Sequence, residues 1–386
     1  MNFQSVWLLV LVGLLSFGLA WPIANGSQFY RPLLDAVERG RAVMIDGLRG
    51  WLALGVLLTH AACMHSHFSV GKWDSSTAWI YANTGAVGVL LFFMITSFLF
   101  WGRVLRTEGR LDVAAFFVSR IRRLVPMYLA SVLLVLVVVA LVSGLRLHES
   151  LLTVAKQLRP WLAFGFLTYG DINGIHARPV NAVYWTLAFE WSFYLALPLL
   201  ALCHRGWRLG ALLAIAALFC NSTAVLCFVL GAVAAWIVER KVIPFKLDRR
   251  WMTPLPILAL LLAFTYDDTY TVMPAVLLFV FFLFVVKDNS LFGLLATRSA
   301  RLLGTVSYSI YLLHCIVVFV TVSLANQYWP IAAMPMETYM ALVIGAALLT
   351  VLLSTVTYRR IEHPFIARSA GAEVSRALGS GLPAAL

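Results

Sequence analysis

Apolar runs recur along nearly the whole of this 386-residue chain, and they dictate the class of structure it can form. They lie near 5–23, 45–65, 84–102, 124–145, 183–203, 209–221, 224–238, 252–266, 271–286, 303–324 and 337–358. In hydrocarbon a helix satisfies its backbone internally, and about twenty apolar residues cross a bilayer. The chain is therefore predicted to be all-α, a polytopic integral membrane bundle of about 11 transmembrane helices. Hydrophobic residues make up 62% and charged residues 12%, a balance that excludes an ordinary soluble globular fold. The stretch 161–169 reads as an interfacial or re-entrant turn. Residues 365–386 are poor in large apolar side chains and read as a short disordered cytoplasmic tail.

The net charge of +12 would suit nucleic acid if it were spread over one soluble face. Instead, 24 of the 29 lysines and arginines gather in alternate loops and helix edges. The five outside that set are Lys72, Arg146, Lys156, Arg159 and Arg178. By the positive-inside rule the basic loops face the cytoplasm, with the N-terminus outside and the C-terminus inside. Nucleic acid is thereby set aside, and membrane lipid is the surrounding partner. Residues 1–23 carry no basic n-region and no Ala-x-Ala site, so they read as an uncleaved helix. Cys63, Cys203, Cys220, Cys227 and Cys315 show no Cys-x-x-Cys spacing and read as small apolar residues. His65 and His67 lie near His60, but no acidic or cysteine ligand completes the group, so no metal is expected.

Ionisable residues inside these apolar runs carry the chemistry. Arg49 and His60 are eleven positions apart, about three helical turns, so they share a helix face about 16 Å apart. Glu190 lies about 10 Å into its own segment from the opposite end, at a depth similar to His60. A buried carboxylate needs a partner, and His60 is an available one. A carboxylate that orients an imidazole suits a general base. In the loop 103–123, Arg120 and Arg123 stand at i, i+3 with Arg122 beside them. Arginine forks bind phosphate, so this patch fits a nucleotide or coenzyme A, although a topology signal or lipid headgroup contacts would equally explain it. His314 and Ser307 lie on one side of another helix, where a path for a substrate and a structural hydrogen bond are both open readings. Glu362, beside Arg359 and Arg360, reads as a helix-end charge cluster.

These residues together resemble the membrane-bound acyltransferase-3 family, which O-acylates bacterial surface polysaccharides and other glycoconjugates. The resemblance runs from about Met44 to Pro364. It is carried by Asp46-Gly47-Leu48-Arg49-Gly50 with His60, by Phe92 to Ser97, and by Arg120 to Arg123 with Pro126. Trp185 to Glu190 with Tyr194 and Pro198, Ser307 to His314, and Glu362-His363-Pro364 complete it. Ser97 stands where glycine is usual, and Trp191-Ser192 replaces a common Glu-Gln pair.

The resemblance implies a domain over 44–364, preceded by an extra N-terminal helix and linker in 1–43, in a bacterial inner membrane. It implies acyl-CoA, most simply acetyl-CoA, as a co-substrate, with Arg49, Arg120, Arg122 and Arg123 at its phosphates. His60 and Glu190 would be catalytic, with His60 either a general base or a nucleophile that carries the acyl group. Trp185, Ser307 and His314 would line the path of an envelope glycan acceptor. Two other classes remain open from the residues: a proton-coupled transporter, which also places His and Glu at mid-membrane depth, and a non-catalytic envelope scaffold.

Overall fold

The computed structural model describes residues 6–36, 41–74, 79–204 and 222–367. Among these residues seven helices are long and apolar enough to cross a membrane, and three shorter apolar helices accompany them. The protein is a multi-pass, all-α membrane bundle. The long helices are α1 (Val6–Gly26), α3 (Arg41–Val70), α4 (Trp79–Arg106), α5 (Val113–Val142), α7 (Trp185–Leu202), α12 (Ser307–Tyr328) and α13 (Met336–Thr357). The shorter ones are α8 (Thr223–Glu239), α9 (Pro254–Ala263) and α10 (Val272–Val286). Short helices α2 (Tyr30–Asp35), α6 (Leu151–Trp161) and α11 (Arg298–Thr305) complete the set. Ten of the eleven predicted spans thus coincide with helices; the eleventh, 209–221, lies outside the described residues, as does most of the predicted tail.

Two boundaries differ from expectation in ways that matter for the site. The predicted fourth span begins near 124, but α5 starts at Val113, where Asp112 caps it by accepting from the Ala115 backbone N–H at 2.9 Å. Arg120, Arg122 and Arg123 therefore stand on a helix and not in a loop, and their relative directions are fixed by the helical period. The predicted span 303–324 is split at Val306 into α11 and α12. Thr297 caps α11 through the Ala300 N–H, and α11 lies along the start of α3.

Glycines decide how closely that pair packs. A Cβ at Gly47 would sit 1.9 Å from the carbonyl oxygen of Leu295, in the 3-10 turn Leu294–Ala296 just before α11; one at Gly50 would sit 2.8 Å from that of Ala300, and one at Gly304 1.7 Å from that of Asp46. Backbone meets backbone here, so no side-chain rearrangement could make room. The glycines flanking Asp46 and Arg49 in the sequence thus seat α3 on α11 and fix where Arg49 emerges. A similar fit joins α4 and α8. Ser97 of α4 faces Gly231 of α8, where an added Cβ would lie 2.1 Å from the Ser97 hydroxyl.

The N-terminal helix is part of the bundle. Phe17 lies 4.4 Å from the Trp51 ring, Arg298 bonds Asp35, and the Tyr30 hydroxyl donates to the Thr355 carbonyl at 2.6 Å. The connection before α7 is also folded. Asn173 accepts at Oδ1 from the His148 N–H at 2.8 Å and donates to the Arg146 carbonyl at 2.8 Å, tying a two-residue hairpin (171–172 with 175–176) to the end of α5. The stretch 161–169 is a turn, as expected. It folds back on the bundle, with Trp161 and Tyr169 buried against Tyr184 just before α7.

Candidate active site

Helices α3, α4, α7 and α12 contribute to two cavities inside the bundle that share part of their lining, and α5 adds to the first. The first, about 330 Å³, is lined by Arg49, Arg120, Arg123, Glu190, Tyr194 and Tyr308 among others. The second, about 290 Å³, is lined by His60, Asn83, Trp185 and the connection 267–270. Val89 and Tyr311 line both and form the wall between them. The Tyr311 hydroxyl is held at 2.5 Å from Thr186 Oγ1 and donates to the Val183 carbonyl at 3.2 Å.

The arginine cavity is built by helical spacing. Arg120 and Arg123, one turn apart on α5, both face it, whereas Arg122 is half-buried and does not line it. Arg49 reaches it from α3, with Asp46 3.8 Å from its guanidinium one turn earlier. The Arg120 guanidinium lies over the Phe100 ring at 4.8 Å and donates to Ser119 at 3.0 Å. Its Nε is buried with no partner among the described residues. The lining thus carries three guanidinium groups and one carboxylate, a charge balance and donor set that suit an anion.

Glu190 belongs to this cavity. Its carboxylate accepts a hydrogen bond from Tyr194 and acts electrostatically on Arg49 and Arg120. The expected pairing of Glu190 with His60 is therefore corrected. The two residues line different cavities, because the direction of a side chain follows from how its helix packs and not from helical rise alone. Glu362 is likewise not a helix-end partner of Arg359 and Arg360. It sits on a π-helical segment, Tyr358–Glu362, is buried, and accepts a hydrogen bond from Ser309.

The partner of His60 is His314. Its Nδ1 lies 3.0 Å from the Ile310 carbonyl, which can only accept, so that nitrogen carries the hydrogen. His314 Nε2 is then an acceptor. His60 Nδ1 lies 3.1 Å from it and 3.0 Å from the Val56 carbonyl, so His60 Nδ1 also carries a hydrogen. This placement leaves His60 Nε2 as the basic nitrogen of a ring that lines the second cavity. Cys315 Sγ lies 3.5 Å from His314 Nε2. The donor atoms of His60, His314 and Cys315 all fall within 4.8 Å, so this is the group that could hold a metal among the described residues. Hydrogen bonding between the rings accounts for their approach without one.

The three residues expected along an acceptor path separate. Trp185 lines the His60 cavity, Ser307 lines the arginine cavity, and His314 stands behind His60. The connection Asp267–Tyr270, which carries no signal in the sequence beyond its place between two spans, also lines the His60 cavity.

Comparison with known proteins places this arrangement. The family described as "Acyltransferase domain", acyltransferase-3, matches residues 43–359. The chain belongs to this family. Nodulation protein 10 of Rhizobium leguminosarum bv. viciae is 29% identical over 45% of the chain and 48% of its own length. O-acetyltransferase OatA of Staphylococcus aureus (strain NCTC 8325 / PS 47) is 24% identical over 83% of the chain and 56% of its own length. A Bacillus subtilis (strain 168) protein named as a candidate peptidoglycan O-acetyltransferase, YrhL, is 29% identical over 40% of the chain and 23% of its own. The chain thus spans about half, or less, of the length of these relatives. No solved structure matches it.

Proposed function

We propose that this acyltransferase-family protein moves an acyl group, most simply acetyl, from cytoplasmic acyl-CoA to a hydroxyl of an envelope glycan. The observation that carries this reading is the pair of abutting cavities, one lined by three arginines and the other by a histidine with a basic nitrogen. A donor with an anionic head and a long flexible arm fits that division better than a compact one. About 16 Å of helix separates Arg49 from His60, a distance the arm would cover along α3. The relatives named as O-acetyltransferases point to the same chemistry.

In this reading Arg49, Arg120 and Arg123 hold the CoA phosphates, and Glu190 with Tyr194 sets the positions of those guanidinium groups. The arm passes the wall at Val89 and Tyr311 and presents its thioester to the second cavity. The acceptor hydroxyl gives its proton to His60 Nε2 as its oxygen attacks the thioester carbonyl. His314 Nε2 accepts from His60 Nδ1–H throughout and stabilises the imidazolium. The carbon–sulfur bond breaks, and the CoA thiolate takes the proton from His60 and leaves as the thiol. The charge distribution supports an arginine cavity open to the cytoplasm, with the N-terminus outside and the C-terminus inside a bacterial inner membrane.

The test is CoA release by the purified protein in nanodiscs, given acetyl-CoA and envelope glycan. His60→Ala should abolish acceptor-dependent release while acetyl-CoA still binds. Full activity of His60→Ala would remove the histidine from the mechanism. No release with any acyl-CoA by folded protein, together with glycan or metabolite uptake in vesicles, would establish a transporter instead.

A further inference from the structure

His60, His314 and Cys315 bring three ligand atoms together inside the bundle. His314 Nε2 lies 3.1 Å from His60 Nδ1 and 3.5 Å from Cys315 Sγ, and the ligand atoms of all three residues lie within 4.8 Å of one another. Helix α3 supplies one member and α12 the other two, so the group exists only once these helices pack. Its spacing is that of a metal site. Tetrahedral zinc, with bonds of about 2.05 Å to nitrogen and about 2.3 Å to sulfur, holds two nitrogens about 3.3 Å apart and a nitrogen and a sulfur about 3.6 Å apart. Two sides of the triangle already match, and the third, no longer than 4.8 Å, has at most about 1.2 Å to close. The outer support is present as well. His314 Nδ1–H donates to the Ile310 carbonyl at 3.0 Å, the second bond that orients a ligating histidine. His314 and Cys315 are fully buried, whereas His60 is half-buried and lines a cavity of about 290 Å³, which gives an ion a way in. That lining includes Asp267 and Asp268 and no lysine or arginine among the described residues, so no fixed positive charge there opposes a cation.

We propose that His60 Nδ1, His314 Nε2 and Cys315 Sγ form a zinc site and that zinc bound there switches the enzyme off. Imidazole and thiolate suit zinc, whereas magnesium and calcium take oxygen ligands. The protons balance. The Cys315 thiol releases one proton and binds as a thiolate. His60 keeps its hydrogen but moves it from Nδ1 to Nε2, because a metal-bound ring nitrogen cannot carry one. Two neutral imidazoles and one thiolate then hold the ion, and a fourth position is left for water from the cavity. The hydrogen that moves is what silences the base. In the acyl-transfer reading Nε2 takes the proton of the acceptor hydroxyl. With zinc on Nδ1 that nitrogen already bears a hydrogen and has no lone pair to offer. Inhibition therefore rests on the acyl-transfer reading, while zinc binding rests on the geometry alone.

The experiment uses the full chain in nanodiscs, first stripped with a chelator, with cobalt as a spectroscopic probe and zinc as its competitor. One cobalt per chain should give the ultraviolet charge-transfer band of a cobalt–thiolate bond together with the visible bands of tetrahedral cobalt. Zinc should displace it, and magnesium and calcium should not. Cys315→Ser and Cys315→Ala should each lose the charge-transfer band and weaken zinc at least about 100-fold, no less than the loss of an outer-shell partner can cost. His314→Ala should weaken it by a similar factor, with the melting temperature of each variant showing that it is folded. Saturating zinc should stop acceptor-dependent CoA release by the wild type, and chelation should restore it. In Cys315→Ser the same zinc should leave release at the rate that variant shows without metal. A wild-type chain without the thiolate band, a band that survives both Cys315 variants, or zinc that stimulates release overturns the proposal. A filled site with undiminished release overturns the switch and removes His60 Nε2 as the base. No release even after chelation, by protein that shows the cobalt spectrum, defeats the acyl-transfer reading and the inhibition with it, while the zinc site stands.

Discussion

The position of one hydrogen decides which nitrogen of His60 is a base. The Ile310 carbonyl fixes the His314 tautomer, and His314 fixes that of His60. Replacing His314 with leucine leaves His60 Nδ1–H with only the Val56 carbonyl and frees the ring to reorient. In the proposed reaction kcat should fall about 100-fold, the scale of a misplaced catalytic group, with little change in the acetyl-CoA KM. His314→Gln returns an acceptor oxygen near the Nε2 position and should recover part of the rate. A purely structural role would not separate the two variants. Arg120 and Arg122 make a second contrast. Arg120→Ala should raise the acetyl-CoA KM roughly tenfold or more, the loss of a charge-assisted contact. Arg122→Ala should leave it near wild type, because Arg122 does not line the cavity. Equal effects at the two positions would mean that a general positive surface, and not the cavity, attracts the donor.

Between elements, small residues set the distances. The contact of α3 with the 3-10 turn Leu294–Ala296 that leads into α11 brings the backbones so close that a methyl group at Gly47 would overlap the Leu295 carbonyl. Gly47→Ala should therefore cost about 1–3 kcal/mol, the usual penalty for overpacking, and should displace Arg49. A lowered melting temperature with a raised acetyl-CoA KM is the expected pair of readings. An unchanged melting temperature would mean that the two helices are not this close. The contact of α4 with α8 is asymmetric. Ser97→Gly should be tolerated, since it removes only a hydroxyl bonded to the Met94 carbonyl at 3.2 Å. Gly231→Ala should destabilise even in that background, because its Cβ would also lie 2.2 Å from the Met94 carbonyl.

For the whole molecule, the two cavities and their shared wall are what distinguish this bundle from a set of packed apolar helices. Tyr311 holds the wall by its hydrogen bonds to Thr186 and Val183. Tyr311→Ala should join the cavities, admit water to the thioester and raise acceptor-independent CoA release several-fold. Unchanged background release would show that the wall does not control access. The same scale explains what was legible beforehand. Ten helices could be placed because hydropathy and length are properties of a segment alone. Arg49 and His60 could be placed on α3, and Arg120 and Arg123 on one face of α5, because the helical period is local. Asp267 and Asp268 carry no such local signal, since two aspartates between spans look like any solvated turn until the fold places them at the cavity that His60 lines.

A helical membrane bundle, the family, and the position of each ionisable side chain along its helix could all be read from the order of residues. Rise and period are the same for every α-helix, so these follow without knowledge of neighbours. Which side chains meet across helices emerged with the packed bundle. It paired Glu190 with Tyr194 and the arginines, set His314 behind His60, and moved Ser307 to the arginine cavity. The reason is that rotation about each helix axis and the choice of neighbour depend on packing at glycines and other small residues on several helices together. That information is spread over residues distant in the chain and is read only when the helices are assembled.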